Sequence, residues 1–258
     1  MSDKKKASSV IKALNILELL GDCKELGVTE IGEKLGYDKS TTFRLLATLK
    51  ERNFVIQNAK NQKYSNAIKL LMLGNAVLRH KNYSHNIRIE LKKLAETTRE
   101  TVNLAIAEGT EVIYIDRYET EDILKLASAI GQRRPMYCTS VGKAIMAYYD
   151  PGYVESLCTN FPFEAFTEFT CTNKKALLKE LELIRQRGYS IDNQEHHLGI
   201  RCVAVPILSQ HNEPLAAVSI SMPQFRADAD PGLLDRCIAA LLEASPRLTR
   251  SFLGSAQQ

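Results

Sequence analysis

Apolar positions change period along this chain, and the changes divide it into two parts. From Val10 to Leu20, apolar residues at 10, 11, 14, 17, 19 and 20 recur at helical spacing and predict an amphipathic helix with that stripe buried. After Gly21-Asp22 comes VTEIGEKLGYDKSTTFRLLATLKERNFV, residues 28–55. Thr29 suits the N-cap of a short helix with Ile31 and Leu35 on one face, and Gly36 is placed to end it in the left-handed conformation. Asp38 can cap a second helix in which Leu45, Leu46 and Leu49 face inward. Two short helices across a tight glycine-containing turn predict a helix-turn-helix. NFVIQNAKNQKYS then alternates about a turn at 58–62, a hairpin with Lys60 and Lys63 near its tip.

Helical spacing returns at 68–80, a connecting helix, and at 86–98, with Ile87, Leu91, Leu94 and Ala95 on one side. The period then falls to two, predicting strands at 102–107, 112–118 and 123–128. Helices are expected at 140–149, 151–157 and 173–187, strands near 188–192, 201–208 and 215–222, and a last helix at 231–250. Short strands with short connections, then grouped helices, predict an α+β domain on an antiparallel sheet. The expected boundaries are 1–66 for the winged helix-turn-helix domain, 67–82 for the linker helix and 83–258 for the larger domain.

One strand of the larger domain is unusual. In LAAVSISM, residues 215–222, alternation puts Val218, Ile220 and Met222 on one wall and Ala217, Ser219 and Ser221 on the other. A small-residue face bearing hydroxyls leaves room and hydrogen-bond groups, as a pocket floor needs. GIRCVAVPILSQHNEPLAAVSISM reads as a hairpin turning near His211–Pro214, so small Cys202 joins Ser219 and Ser221 if the register matches. In CTSVGKAIMAYY, Thr139 or Ser140 can cap a helix whose first free N–H groups suit a carboxylate. Asp192, ending GYSID, could bond a hydroxyl of the same ligand.

Charge changes the picture of the first quarter. Residues 1–65 hold 12 Lys and Arg against 8 Asp and Glu, while the rest of the chain holds 22 of each. The whole net charge of +4 therefore lies where a polyanion would be met. The second helix carries Lys39, Ser40, Thr41, Thr42 and Arg44 in its first turns, side chains suited to base edges and phosphates in a major groove. Thr29, Lys60 and Lys63 complete the expected DNA-binding set, with the hairpin as a wing. Six cysteines, at 23, 138, 158, 171, 202 and 237, show no CxxC pair, and no signal-peptide core follows the N-terminal lysines. They read as reduced thiols of a cytoplasmic protein, with no metal or other cofactor.

These stretches resemble the IclR family of bacterial transcriptional regulators over almost the whole chain. The matching segments are VTEIGEKLGYDKSTTFRLLATL, TSVGKAIMA and GYSIDNQEHHLGIRCVAVPI, the last with Gly188, Asp192, Glu195, Gly199 and Cys202 at the family's spacing. The resemblance implies a winged helix-turn-helix joined to a GAF-like effector domain, working as dimers that often pair into tetramers through the DNA-binding region and linker. It places effector contacts on the backbone around Ser140 and Val141 and on Asp192, Cys202, Ser219 and Ser221. The family commonly has Gly-Ala where this chain has Ser140-Val141, and the larger side chains could narrow the pocket. YCTSVGKAIMA is similar to the subgroup that senses 2-keto-3-deoxygluconate.

The expected function is a repressor on double-stranded operator DNA, tuned by a small keto or sugar acid; activation is the alternative. A rival from another class is an enzyme using Cys202 as nucleophile with His196 or His197 as base. A nucleophile needs its base within hydrogen-bond reach and an oxyanion hole, and a pocket-floor cysteine among hydroxyls fits binding better.

Overall fold

The computed structural model describes residues 8–80, 85–119 and 129–253. The chain divides into two compact units, residues 1–81 and 82–258. The expected strand at 123–128 lies outside the described residues.

In the first unit, α1 (Ser8–Asp22), α2 (Val28–Leu35) and α3 (Lys39–Glu51) pack around Ile16, Leu20, Ile31, Leu46 and Leu49. β1 (Val55–Gln57) and β2 (Tyr64–Asn66) form the hairpin, and Leu26 adds an antiparallel bridge to Tyr64. Gly36 ends α2 at φ 69°, and Asp38 caps α3 by accepting from the Thr41 N–H at 2.8 Å. Two expectations need correction. α2 begins behind Gly27, whose N–H donates to the Glu30 carboxylate at 2.6 Å, so Thr29 is an exposed first-turn residue and no cap. The stripe foreseen as buried on α1 is split: Ile16 and Leu20 enter the core, but Val10, Ile11 and Leu14 are exposed. The described residues of this unit leave those first turns uncovered. α4 (Lys69–His80) follows the hairpin with Leu71, Met72 and Leu73 exposed.

Among the described residues the second unit holds a six-stranded antiparallel sheet in the order β5-β4-β3-β8-β7-β6, flanked by helices on both faces. Its strands are β3 (Thr101–Glu108), β4 (Glu111–Tyr118), β5 (Arg133–Pro135), β6 (Ser190–Asn193), β7 (Ile200–Leu208) and β8 (Pro214–Pro223). Alternation sorts the side chains as expected. Val218, Ile220 and Met222 face α5 (His85–Thr98) and α10 (Leu233–Leu253), with Leu91, Leu94, Leu241 and Leu248. The small face, Ala105, Ala204 and Ala217, meets α6 (Ser140–Met146), α7 (Pro151–Asn160) and α8 (Lys174–Arg187). α9 (Gln224–Ala229) and three-residue β5 are too short to register as periods in the sequence.

Small residues let α6 sit close on the sheet. A Cβ at Gly142 would fall 2.3 Å from the Met136 carbonyl oxygen and 2.4 Å from its Cα, so only glycine fits there. Behind α6 lies a buried charge, Lys143, at 2% exposure, paired with Glu195 of the β6–β7 connection. Burying an ammonium is costly unless it is paired and hydrogen-bonded, so this pair fixes where the connection crosses the helix.

Candidate functional site

The candidate nucleic-acid face is built on α3. Lys39, Ser40, Phe43, Arg44, Ala47 and Thr48 are exposed, and Leu46 and Leu49 are buried. Thr42 departs from the expected DNA-binding set: it is fully buried, its hydroxyl donates to the Asp38 carbonyl at 3.0 Å, and it packs over Gly32 of α2. Ser40 and Thr41 are reachable, but the Ser40 hydroxyl donates to the Asp38 carboxylate, which the Thr41 N–H and the neighbouring hydroxyls hold far below the usual carboxylate range. Thr29 and Lys39 border one concavity of about 380 Å³ at the α2–α3 junction. In the hairpin, Lys60 is exposed at the tip, whereas Lys63 lies 3.1 Å from Glu30 and is engaged within the unit. Glu25 fastens the tip by accepting from Asn61 at 2.6 Å and Asn58 at 3.4 Å.

The candidate ligand site is a row across the sheet. Register pairs Asp192 with Cys202, Cys202 with Ser221, and Ser221 with Thr101; the next row pairs Ser190 with Ala204, Ala204 with Ser219, and Ser219 with Asn103. Cys202 and Ser221 meet as the alternation required, with Sγ 3.1 Å from Oγ. Asn103 donates its amide to the same Ser221 oxygen at 3.1 Å. Two donors therefore fill the Ser221 lone pairs and leave its proton to give away. Ser219 lies on the same floor and is 2% exposed.

α6 lies over β6, β7 and β8, and its first turn is tied down by Ser190, whose hydroxyl donates to the Ser140 carbonyl at 2.6 Å. Thr139, not Ser140, is the cap: its hydroxyl accepts from the Gly142 N–H at 3.3 Å and donates to the Pro135 carbonyl at 2.9 Å. The Ser140 and Val141 N–H groups precede the first intrahelical bond and have no acceptor among the described residues. Both side chains are buried, Val141 within the apolar cluster of α6, α7 and α8.

Asp192 is 5% exposed and accepts the Glu195 N–H at 2.7 Å. Burial pushes its carboxyl up to about 7, against the pull of Lys143 and with the repulsion of Glu195. The Cys202 thiol is driven well above its ordinary range by burial and by Asp192, the reverse of what an attacking thiolate needs. His196 is held down near 4 by burial, Arg134 and His197, and stacks beside Phe166 with ring centroids 5.0 Å apart. A half-buried thiol that donates to a serine and holds its proton is no nucleophile, and the enzyme reading falls on that geometry. The sequence reading missed two residues. Asn103 is hidden because its partner is 118 residues away. Tyr114 of β4 stands opposite Ala105, and its phenol is raised by burial, then by Cys202 and Asp192. Alternation alone puts Tyr114 beside Val112, but a register shift at Leu104/Ala105 separates it from any sequence-level pairing.

Donors available to a ligand are the two first-turn N–H groups of α6, the Ser221 proton and, up to about neutral pH, the Asp192 carboxyl. Such a floor matches the oxygens of a small acid.

Comparison with known proteins matches both units of the chain to one family. Residues 9–59 match the IclR helix-turn-helix domain, and residues 75–250 match the bacterial transcriptional regulator IclR C-terminal domain. The chain is 35% identical to the HTH-type transcriptional regulator KdgR of Escherichia coli over 219 residues, 85% of this chain and 83% of that one. It is 32% identical to the transcriptional repressor IclR of the same organism, over 86% of this chain and 82% of that one. The crystal structure of the Thermotoga maritima IclR superposes with a TM-score of 0.81 at 31% identity, covering 96% of this chain and all of that one. The chain belongs to the IclR family of bacterial transcriptional regulators, with a DNA-binding helix-turn-helix followed by a ligand-binding C-terminal domain.

Proposed function

We propose that this protein is a cytoplasmic repressor that leaves its operator when a small keto or sugar acid occupies the Asp192–Cys202–Ser221 row. The observation that carries the reading is the meeting of Cys202 and Asn103 as donors at one serine oxygen, which leaves the Ser221 proton for a ligand. The effector carboxylate takes the Ser140 and Val141 N–H groups, and its keto or hydroxyl oxygens take Ser219, Ser221 and Asp192. Similarity to KdgR favours 2-keto-3-deoxygluconate or a related acid within that class. Residues 1–66 read DNA, 67–82 link, and 83–258 bind effector. The exposed apolar residues of α1 and α4 (Val10, Ile11, Leu14, Leu71, Met72 and Leu73) suit contacts between copies, giving a dimer and a dimer of dimers. Effector acts by favouring one of two arrangements through its differential affinity for them.

The test is a thermal-shift screen against pyruvate, glyoxylate, 2-keto-3-deoxygluconate and uronates, repeated on Ser219→Ala/Ser221→Ala. A ligand of the native state must raise the melting temperature by mass action. A shift lost in the double variant, with release of bound duplex by the same acid in a gel-shift assay, is the expected result. A shift of equal size in the double variant would refute the site.

A further inference from the structure

The hydroxyls of α3 are largely spent within the protein. Ser40 donates to the Asp38 carboxylate at 2.9 Å, Thr42 is buried on the Asp38 carbonyl, and Thr48 donates to the Arg44 carbonyl at 3.1 Å. Amid them Phe43 stands 57% exposed among the described residues. Positions 40, 43, 44 and 47 fall at i, i+3, i+4 and i+7, so they share one face of the helix. That face therefore offers one guanidinium, Arg44, and an apolar pair, Phe43 and Ala47, all exposed. In the major groove the distinctive apolar feature is the thymine C5-methyl group, and phenylalanine and alanine are side chains that meet it.

We infer that Phe43, supported by Ala47, is a specificity-determining residue that reads thymine methyl groups in the operator, while Arg44 supplies the polar readout beside it. Phe43 closes over one or two methyl groups and excludes water from them, so each contributes as a buried methyl does. The inference rests on α3 being the helix that enters the groove. Cytosine at those positions is rejected for want of the methyl, without any hydrogen bond being broken.

The test begins with a duplex selected from a random library by the full-length wild-type protein. Each thymine of that duplex is then replaced singly by deoxyuridine, which lacks only the C5-methyl. Wild type is expected to bind one or two of these duplexes about three- to fivefold more weakly, the size set by burying one methyl group. Phe43→Ala should bind thymine and deoxyuridine duplexes alike, and Phe43→Leu should keep most of the discrimination. Equal binding of all deoxyuridine duplexes by wild type overturns the proposal, as does undiminished discrimination in Phe43→Ala. A change of oligomeric state in Phe43→Ala by light scattering overturns it too, and makes this face a contact between copies. Arg44→Ala on the unmodified duplex and on single base-pair variants separates the two levels: if it too leaves base preference intact, the placement of α3 in the groove has failed, not only the role of Phe43.

Discussion

Replacing Asp192 by asparagine separates one titration from all others in the protein. The carboxyl's ordinary value is 3.8, and in the folded chain it is pushed up to about 7. The groups facing it are Lys143 of α6, Glu195 of the β6–β7 connection, Cys202 of β7, Tyr114 of β4 and Cys138 before α6. A raised folded value means that the native state holds a proton the unfolded chain releases. Its contribution is fully present below about pH 4, is lost as pH rises toward 7, and changes no further above that. At 1.36 kcal/mol per pKa unit, the loss attributable to Asp192 between pH 5 and pH 8 is about 2.5 kcal/mol. Asparagine retains an oxygen to accept the Glu195 N–H, so the local geometry survives the change. His196 titrates in the opposite sense, its depressed value making stability fall as pH drops below its ordinary 6.5, and it cancels in the difference between variants. Urea unfolding of wild type and Asp192→Asn at pH 5, 6, 7 and 8 should therefore show the wild type losing about 2.5 kcal/mol relative to the variant. In melting temperature this is roughly 5–10 °C for a domain of this size. Parallel curves for the two proteins would refute the account of a carboxyl held neutral by burial. An anionic effector should feel the same proton: pyruvate affinity by calorimetry should weaken about tenfold per pH unit above 7, as ionised Asp192 comes to repel it.

Three further outcomes follow from the packing and the DNA face. Gly142→Ala must displace α6 from the Met136 backbone, at a cost of about 1–3 kcal/mol or more, and should lower the melting temperature and abolish the effector shift together. Lys143→Met strands Glu195 as an unpaired buried charge and should destabilise the second unit by about 3–5 kcal/mol; Lys143→Met/Glu195→Leu should recover most of that loss in chemical denaturation. Arg44→Ala should flatten preference among duplex sequences, whereas Lys60→Ala should weaken binding to all of them and reduce the slope of log affinity against log salt by about 1, measured by fluorescence anisotropy.

Local signals in the chain were enough to place most elements. Gly36 in the left-handed region, Asp38 on the Thr41 N–H, and Leu46 and Leu49 inward all act within one or two turns, and such short-range sterics and hydrogen bonds are written directly in neighbouring residues. The same holds for β8, whose two walls follow from alternation alone. Where a residue's fate hung on a partner far along the chain, the sequence was silent or misleading. Thr42 and Phe43 are adjacent, and the gap over Gly32 decides which of them turns inward. Gly27 displaced Thr29 as the start of α2 because Glu30 reaches back to its N–H. Lys63 is drawn to Glu30, 33 residues away, and Val10, Ile11 and Leu14 stay uncovered because helical spacing cannot say what lies opposite.

The ligand row shows the division most sharply. The sequence by itself determined which side chains share a face of each strand, because the two-residue period is a property of the backbone. Only the tertiary structure decided that Asp192, Cys202, Ser221 and Thr101 fall in one register, with Asn103 donating to Ser221. Register is set by packing over the whole sheet and by the shift at Leu104/Ala105, and a slip of one residue would turn every one of these groups to the other face.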